Sequence, residues 1–448
     1  MTRQAGAPAI AVLGHYGNSN LGDEAIIHAV VAEIRRRWPT APLYAVSNTP
    51  IDTAWRHRVP AVSIHTGALE QPPADSHGFT PEQKSPWRPE TARKVPPGGL
   101  WRVPAMRAAR RLAGRILRGS AWTLSEVAHC WHVFRFVRRL DLLLIAGSNQ
   151  MTDYFGGPSE FPYLNFRWSV LARLAGCRIA WVSVGAGPLD ARLSRCFLKA
   201  SLRLAAYVST RDGNSQTFLR GIGITRPVRV FPDLAHGLSH PSGLATARPR
   251  TGDRRRIVGI NPMPIYDGTY WPEDAPVRYT GYIKEMAAFA TALRSEGYSI
   301  FFFGTHPRDI SVAHDIQICM KREHGEPSQE TVPLKTSATI EELLDVLASA
   351  DLIVATRFHG VLLSLLVNRP VFAICYYRKT RDLMLDFGQG DEFAVALEKF
   401  RAGDAITRIR LLEARAHELT ATMTQKKAEC RAALAQQYDL VFDLVTRR

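Results

Sequence analysis

Short apolar runs recur along this chain, each ending in small or polar residues and each followed by a stretch with helical spacing. IAVLG (10–14) leads into HYGNSNLGDEAIIHAVVAEIRRR, where the glycines and asparagines predict a loop and residues 23–37 a helix. PLYAVS (42–47), LLLIAG (142–147), RIAWVSVGAG (178–187), AYVSTRD (206–212) and VRVFPD (228–233) repeat the pattern, with helical stretches such as 164–175 and 190–204 between them. Residues 66–104 are rich in Pro, Gly, Ser and charge and predict a long loop. HPSGLATARPRTGDRRR (240–256) has the composition of an interdomain linker. The pattern then restarts with IVGINP (257–262), SIFFFGTHP (299–307), TVPLK (331–335), LIVATRFH (352–359) and VFAICYY (371–377), separated by helical segments 281–296, 309–322, 339–349 and 361–367. Alternation of strand and helix predicts mostly parallel sheets. The expected organisation is an N-terminal Rossmann-like domain over 1–245 with an insertion at about 50–140, a second Rossmann-like domain over 255–400 facing it across a cleft, and a helical tail over 403–448.

Length fits this division, since 448 residues exceed one ordinary core. The first ten residues are too short for a signal peptide's apolar segment, and no long apolar stretch predicts a membrane span, so the expected location is the cytoplasm. Cys130, Cys177, Cys196, Cys319, Cys375 and Cys430 include no close pair, which predicts mostly buried thiols rather than a zinc site or a disulfide framework. The formal charge of +16 calls for an anionic partner. Between Arg88 and Arg139 twelve Lys and Arg stand against only Glu90 and Glu126, with Trp101, Trp122 and Trp131 interleaved. MRAARRLAGRILRG (106–119) can form a basic amphipathic helix, so 88–139 is expected either to touch the inner face of a membrane peripherally or to be a solvated insertion.

In open α/β sheets, ligands bind beyond the carboxyl ends of the strands, where helix N-termini favour anions. The glycines after the first strand lack G-x-G-x-x-G spacing, and Asp23 and Glu24 oppose a phosphate there. Asp23 is expected to cap that helix, leaving Asn18 and Asn20 for a neutral polar ligand. STRD (209–212) delivers Arg211 to a strand end, for an anion or for an ion pair with Asp212 or Asp233. TRFHG (356–360) delivers Arg357 and His359, and alternation puts both on one side of the strand. Alone, such a pair is more often structural than catalytic; with Arg378 and Lys379 after the next strand, the group suits a phosphate plus a carboxylate.

These motifs, taken together, resemble the polysaccharide pyruvyl transferase family. The resemblance rests on GHYGNSNLGDEAI (14–26), DLLLIAGSNQMTD (141–153), SVGAGPL (183–189), STRDGNS (209–215), FPDLA (231–235), TRFHG (356–360) and YYRK (376–379), in order. It implies a GT-B-like α/β fold, no metal, no cofactor, and transfer of pyruvate from phosphoenolpyruvate to a saccharide acceptor, free or lipid-linked, as a ketal with release of phosphate. By the same resemblance Arg211 and Arg357 would hold phosphoenolpyruvate, Lys379 would be a second basic position near them, and His359 would be the acid/base; Arg378, beside Lys379, is expected to assist. Asn18, Asn20, Ser148 and Asn149 would face the acceptor. Two positions depart from the family pattern: Ala146-Gly147-Ser148-Asn149 stands for a Gly-Gly-Gly strand end, and Asn261-Pro262 for Ser/Val-Arg. The rival readings are a nucleotide-sugar glycosyltransferase, for which no convincing acidic ribose ligand is visible, and a non-catalytic protein binding nucleic acid through 88–139. The latter ranks low, because the basic excess lies outside the repeated βα framework.

Overall fold

A computed structural model describes residues 7–72, 125–154, 156–239, 256–268, 275–324 and 331–446. The basic run 88–118, the amphipathic segment 106–119 and most of the expected linker lie outside these residues. The chain divides into two compact units, one of residues 1–18, 34–230 and 439–448, the other of residues 19–33 and 231–438.

The first unit is built on an eight-stranded sheet ordered β4-β3-β2-β1-β5-β6-β7-β8. The strands are β1 (Ile10–Leu13), β2 (Leu43–Ser47), β3 (Ala61–Ser63), β4 (Leu69–Glu70), β5 (Leu142–Ala146), β6 (Arg178–Val184), β7 (Tyr207–Thr210) and β8 (Arg229–Val230). All pairs are parallel except β3 with β4. Every residue of β1 and β5 is buried, as parallel strands covered on both faces require. The cover comes from α2 (Pro50–His57), a helix α3 at 125–137, α4 (Phe161–Leu174), α5 (Arg192–Leu204) and α6 (Gly213–Gly221). Trp168 and Trp181, both fully buried, anchor the core with Leu143, Ile145 and Val184. Thus residues 50–72 and 125–139, within the expected insertion, contribute α2, β3, β4 and α3 to this unit.

The second unit repeats the plan with order β11-β10-β9-β12-β13-β14, all pairs parallel. Its strands are β9 (Ile257–Asn261), β10 (Ser299–Phe303), β11 (Leu334–Lys335), β12 (Leu352–Ala355), β13 (Val371–Cys375) and β14 (Ala394–Ala396). Between them run α7 (Pro276–Ser295), α8 (Pro307–His324), α9 (Ile340–Ala348), α10 (Phe358–Leu366) and α11 (Arg378–Asp386). Thr339 caps α9: its hydroxyl accepts from Glu342 N, while the Glu342 carboxylate reaches back and accepts from Ala338 N. Helix α10 is apolar nearly all round and buried from Gly360 to Leu366, which makes it a central element. Helix α1 (Leu21–Arg37) belongs to this unit through residue 33. The tail forms α12 (Ala402–Ala414) and α13 (Ala416–Thr446), the latter grouped with the second unit through Tyr438 and with the first from Asp439.

Each sheet reverses its order at one place, between β1 and β5 in the first unit and between β9 and β12 in the second. These are the topological switch points, where the loops at the strand ends splay apart and leave a ligand crevice. Among the described residues no helix is long and apolar enough to cross a membrane, and no cluster of His, Cys, Asp and Glu could hold a metal. Of the cysteines, Cys177, Cys375 and Cys430 are buried, whereas Cys196 is exposed. Burial pushes the Cys177 and Cys375 thiols up to about 12, which leaves them inert as nucleophiles.

Candidate active site

In the second unit, β12 ends sooner than expected. Its ladder to β9 closes at Ala355 opposite Asn261, and Thr356 N donates to Asn261 O at 3.1 Å. No strand residue lies beyond Asn261 to pair with, so the chain turns. Arg357 adopts extended backbone geometry as the residue before α10, and His359 falls in the first helical turn. The expectation that both side chains share one face of a strand is therefore corrected. Both stand instead at a strand-to-helix junction at the switch point, where the helix N-terminus adds its own partial positive charge.

The junction is fixed by a buried carboxylate that the sequence reading did not single out. Asp309, in the first turn of α8, is fully buried and lies 2.6 Å (Oδ1) and 2.8 Å (Oδ2) from Arg357 Nε. Oδ2 also accepts from Thr305 N at 3.0 Å and His306 N at 3.1 Å, and Asn261 Nδ2 lies 3.4 Å away. Burial pushes the Asp309 carboxyl up, against the pull of Arg357 and of these donors. Asn261 also donates to Phe303 O at 3.1 Å, tying β9, β10 and α8 into one polar knot. Arg357 thus arrives as an oriented guanidinium whose charge is balanced, rather than as one of several surplus cations. Beneath it, Thr356 Oγ1 lies 3.3 Å from Tyr282 Oη, and Tyr282 accepts from Met263 N. Burial pushes the Tyr282 phenol up to about 12.

His359 is half-buried and packs edge-on to Phe358, with ring centroids 5.2 Å apart. The start of α1 lies directly against it: a Cβ on Gly22 would sit 2.2 Å from His359 Nδ1 and 2.6 Å from its Cβ. Only glycine leaves the imidazole where it is. The same turn shows that Asn20, not Asp23, caps α1. Asn20 Oδ1 accepts from Gly22 N at 3.2 Å, Asp23 N and Glu24 N donate to Asn20 O, and Asp23 accepts from Asn20 Nδ2 at 2.7 Å. Lys379, in the first turn of α11, places Nζ 5.3 Å from the Phe358 ring and 5.4 Å from the Tyr377 ring. Arg378 points elsewhere: its side chain is 80% exposed and pairs with Asp382 at 3.7 Å.

A second polar cluster occupies the first unit's strand ends. The ladder between β6 and β7 shifts register after Trp181, where Ser183 has φ 49° and its N–H donates to Ser209 Oγ. This irregularity raises Gly185 beneath Arg211, whose Nε and Nη2 lie within 2.9 Å of where a Gly185 Cβ would stand. Arg211 lies 3.6 Å from Asp212, which also caps α6 by accepting from Ser215 N at 2.6 Å. At the switch point itself, Ser148 is left-handed (φ 56°) and its carbonyl accepts from Gly185 N, while Asn149 Nδ2 donates to Gly187 O at 3.0 Å. Asn18 Nδ2 is 3.1 Å from His15 Nε2.

The order of these junctions along the chain is that of one enzyme family. The polysaccharide pyruvyl transferase family profile matches residues 20–377. This chain belongs to that family. Like the family it is a transferase, and membership implies pyruvyl transfer to a polysaccharide. No curated protein sequence matches it. Among solved structures it is similar to the UDP-GlcNAc 2-epimerase from Neisseria meningitidis bound to UDP-GlcNAc, at 9% identity, 97% of this chain, 99% of that one and a TM-score of 0.55. It is also similar to S. aureus MnaA in complex with UDP, at 9% identity, 98% and 97% coverage and a TM-score of 0.54. A glycosyltransferase from Rickettsia africae is similar at 9% identity, 99% and 100% coverage and a TM-score of 0.52. At this identity the likeness is one of fold, and it makes the GT-B-like class of the transferase plain.

In this pyruvyl transferase the second unit carries Arg357 and His359 at the end of β12, with Lys379 and His359 both against the Phe358 ring, and the first unit separately holds Arg211 and Asn149 over Gly185. Asn20 is engaged in a helix cap and Arg378 in a surface pair. Asp309 and Asn261 are the additions. Asn261, which departs from the family pattern in sequence, is a buried strut for Asp309.

Proposed function

We propose that the enzyme takes pyruvate from phosphoenolpyruvate and fixes it on two hydroxyls of a saccharide as a ketal, releasing phosphate. The observation that carries this reading is the grip of buried Asp309 on Arg357 one residue before the turn that bears His359. A guanidinium held by its Nε edge is fixed in plane and direction, which suits recognition of a carboxylate or phosphate. In the reaction, the vinyl carbon of phosphoenolpyruvate gains a proton while a sugar hydroxyl adds at C2 and gives up its own. The second hydroxyl then displaces phosphate at the same carbon and closes the ketal ring. His359 is the group for proton delivery and removal. Arg357 orients the phosphate that departs and Lys379 adds a cation beside it. Of the residues expected to face the acceptor, Asn18, Ser148 and Asn149 belong to the first unit, whereas Asn20 caps α1 in the second.

Phosphate release from phosphoenolpyruvate across a saccharide panel tests the reading. His359→Ala is expected to remove turnover while phosphoenolpyruvate still raises the melting temperature. Near-wild-type turnover in that variant refutes the assignment of His359. Stabilisation by UDP and not by phosphoenolpyruvate refutes the pyruvyl reading in favour of a nucleotide-sugar transferase, the ligand class named for two of the fold relatives.

A further inference from the structure

Helix α3 has two unlike faces. Inward, Val133 and Val137 are fully buried, and Glu126 accepts from Tyr163 Oη at 2.7 Å and Arg167 Nη1 at 2.9 Å. Outward, Val127 is 68% and Trp131 57% exposed. Phe134 is half-buried with its ring 6.5 Å from that of Trp131, and Arg138 lies over Phe134 at 5.8 Å. Arg135 and Arg139 are exposed beside them. Positions 127, 131, 134, 135 and 138 fall on one stripe of a helix.

The charge of this stripe is set by what is turned away from it. Residues 88–139 hold twelve Lys and Arg against two acids, and one of those acids, Glu126, is spent inside on Arg167. What remains outside on α3 is a tryptophan, a valine and a phenylalanine edge rimmed by arginines. A nucleic-acid groove would favour cations spread along a backbone track, whereas an apolar centre with an arginine rim fits the boundary between headgroups and acyl chains.

We propose that the outer face of α3 docks on an anionic lipid bilayer, with Trp131 seated at headgroup depth and Arg135, Arg138 and Arg139 against lipid phosphates. The inference stands independently of the pyruvyl reading.

The test is co-sedimentation of the full chain with phosphatidylcholine vesicles and with mixed phosphatidylcholine/phosphatidylglycerol vesicles. Binding is expected only to the mixed vesicles and is expected to fall as salt rises. Neutralising Arg135 and Arg138 (R135Q/R138Q) should weaken it about twenty-five-fold, about fivefold for each charge. Trp131→Ala should weaken it about tenfold. These positions are exposed, so the variants should keep the wild-type melting temperature; the salt dependence of the unaltered protein provides a readout that needs no variant. Equal binding to both vesicle types, or variants that bind as the wild type does, overturns the proposal. So does retention on RNA at physiological salt without vesicle binding. Resistance of Trp131 to chemical oxidation in the vesicle-free protein also overturns it, by showing the face to be covered within the chain.

Discussion

Replacing Asp309 by Asn keeps the shape of the polar knot and removes its charge. The carboxylate is fully buried and both of its oxygens lie within 2.8 Å of Arg357 Nε, so the substitution strands a guanidinium in the interior. Removing one member of a buried ion pair costs about 3–5 kcal/mol, because the partner's charge is left uncompensated. For a unit of this size that lowers the melting temperature by about 10 °C. Turnover should fall further than stability explains, since Arg357 loses the edge that orients it and a misplacement of about 1 Å costs about a hundredfold. The assay is a double-mutant cycle of Asp309→Asn and Arg357→Gln, read by melting temperature and by phosphate release. If the two residues act as a pair, the double variant is more stable than the sum of the single losses predicts, by about 2 kcal/mol of coupling. Additive losses, or an Asp309→Asn enzyme with wild-type stability and rate, refute the claim that Asp309 orients Arg357.

Two further outcomes follow from single contacts. Gly22→Ala should lower the melting temperature by a few degrees, because the new Cβ would meet His359 Nδ1 at 2.2 Å and its Cβ at 2.6 Å and overpacking of this kind costs about 1–3 kcal/mol, and it should lower turnover about a hundredfold by displacing the imidazole; wild-type turnover would show that the imidazole is not needed in that position. His236 stacks on Phe387 at 5.8 Å, and burial holds its pKa down to about 4, below the unfolded value near 6.5. The buried neutral ring therefore contributes stability that is complete above pH 6.5 and is lost as pH falls toward 4, about 3 kcal/mol in all. Denaturant unfolding at pH 7.5 and pH 4.5 should show that loss in the wild type and a smaller one in His236→Leu, and equal losses would remove His236 as its cause.

The strand-end argument reached Arg357, His359, Lys379 and Arg211 because each sits within a few residues of an apolar run, and a run's end is visible in one dimension. Asp309 follows a run as well, at THPRD after β10, but an acid in the first turn of a helix has an ordinary local explanation in the helix dipole. Its real partner lies 48 positions away. The one available signal was topological: β10 neighbours β9, whose other neighbour is β12, so their ends must converge at the switch point. Strand lengths were overestimated for a related reason. Apolar character continues past Ala355 because α10 is buried, and burial alone does not distinguish a strand from a central helix.

Two glycines of the motif series acquire a physical reason beyond loop formation. Gly22 has ordinary helical backbone, so no left-handed turn demands it; what demands it is the His359 ring lying on its Cα. Gly185 likewise has no positive φ, and its missing Cβ is the space taken by the Asn149 carbonyl and the Arg211 guanidinium. In both units, then, a backbone without a side chain is the floor on which a polar group rests. Packing against backbone restricts where each side chain can sit, and for Arg211 the Asp212 carboxylate 3.6 Å away adds a further restraint. Arg357 is held more closely, by a buried carboxylate that meets it from the Nε edge at 2.6 and 2.8 Å.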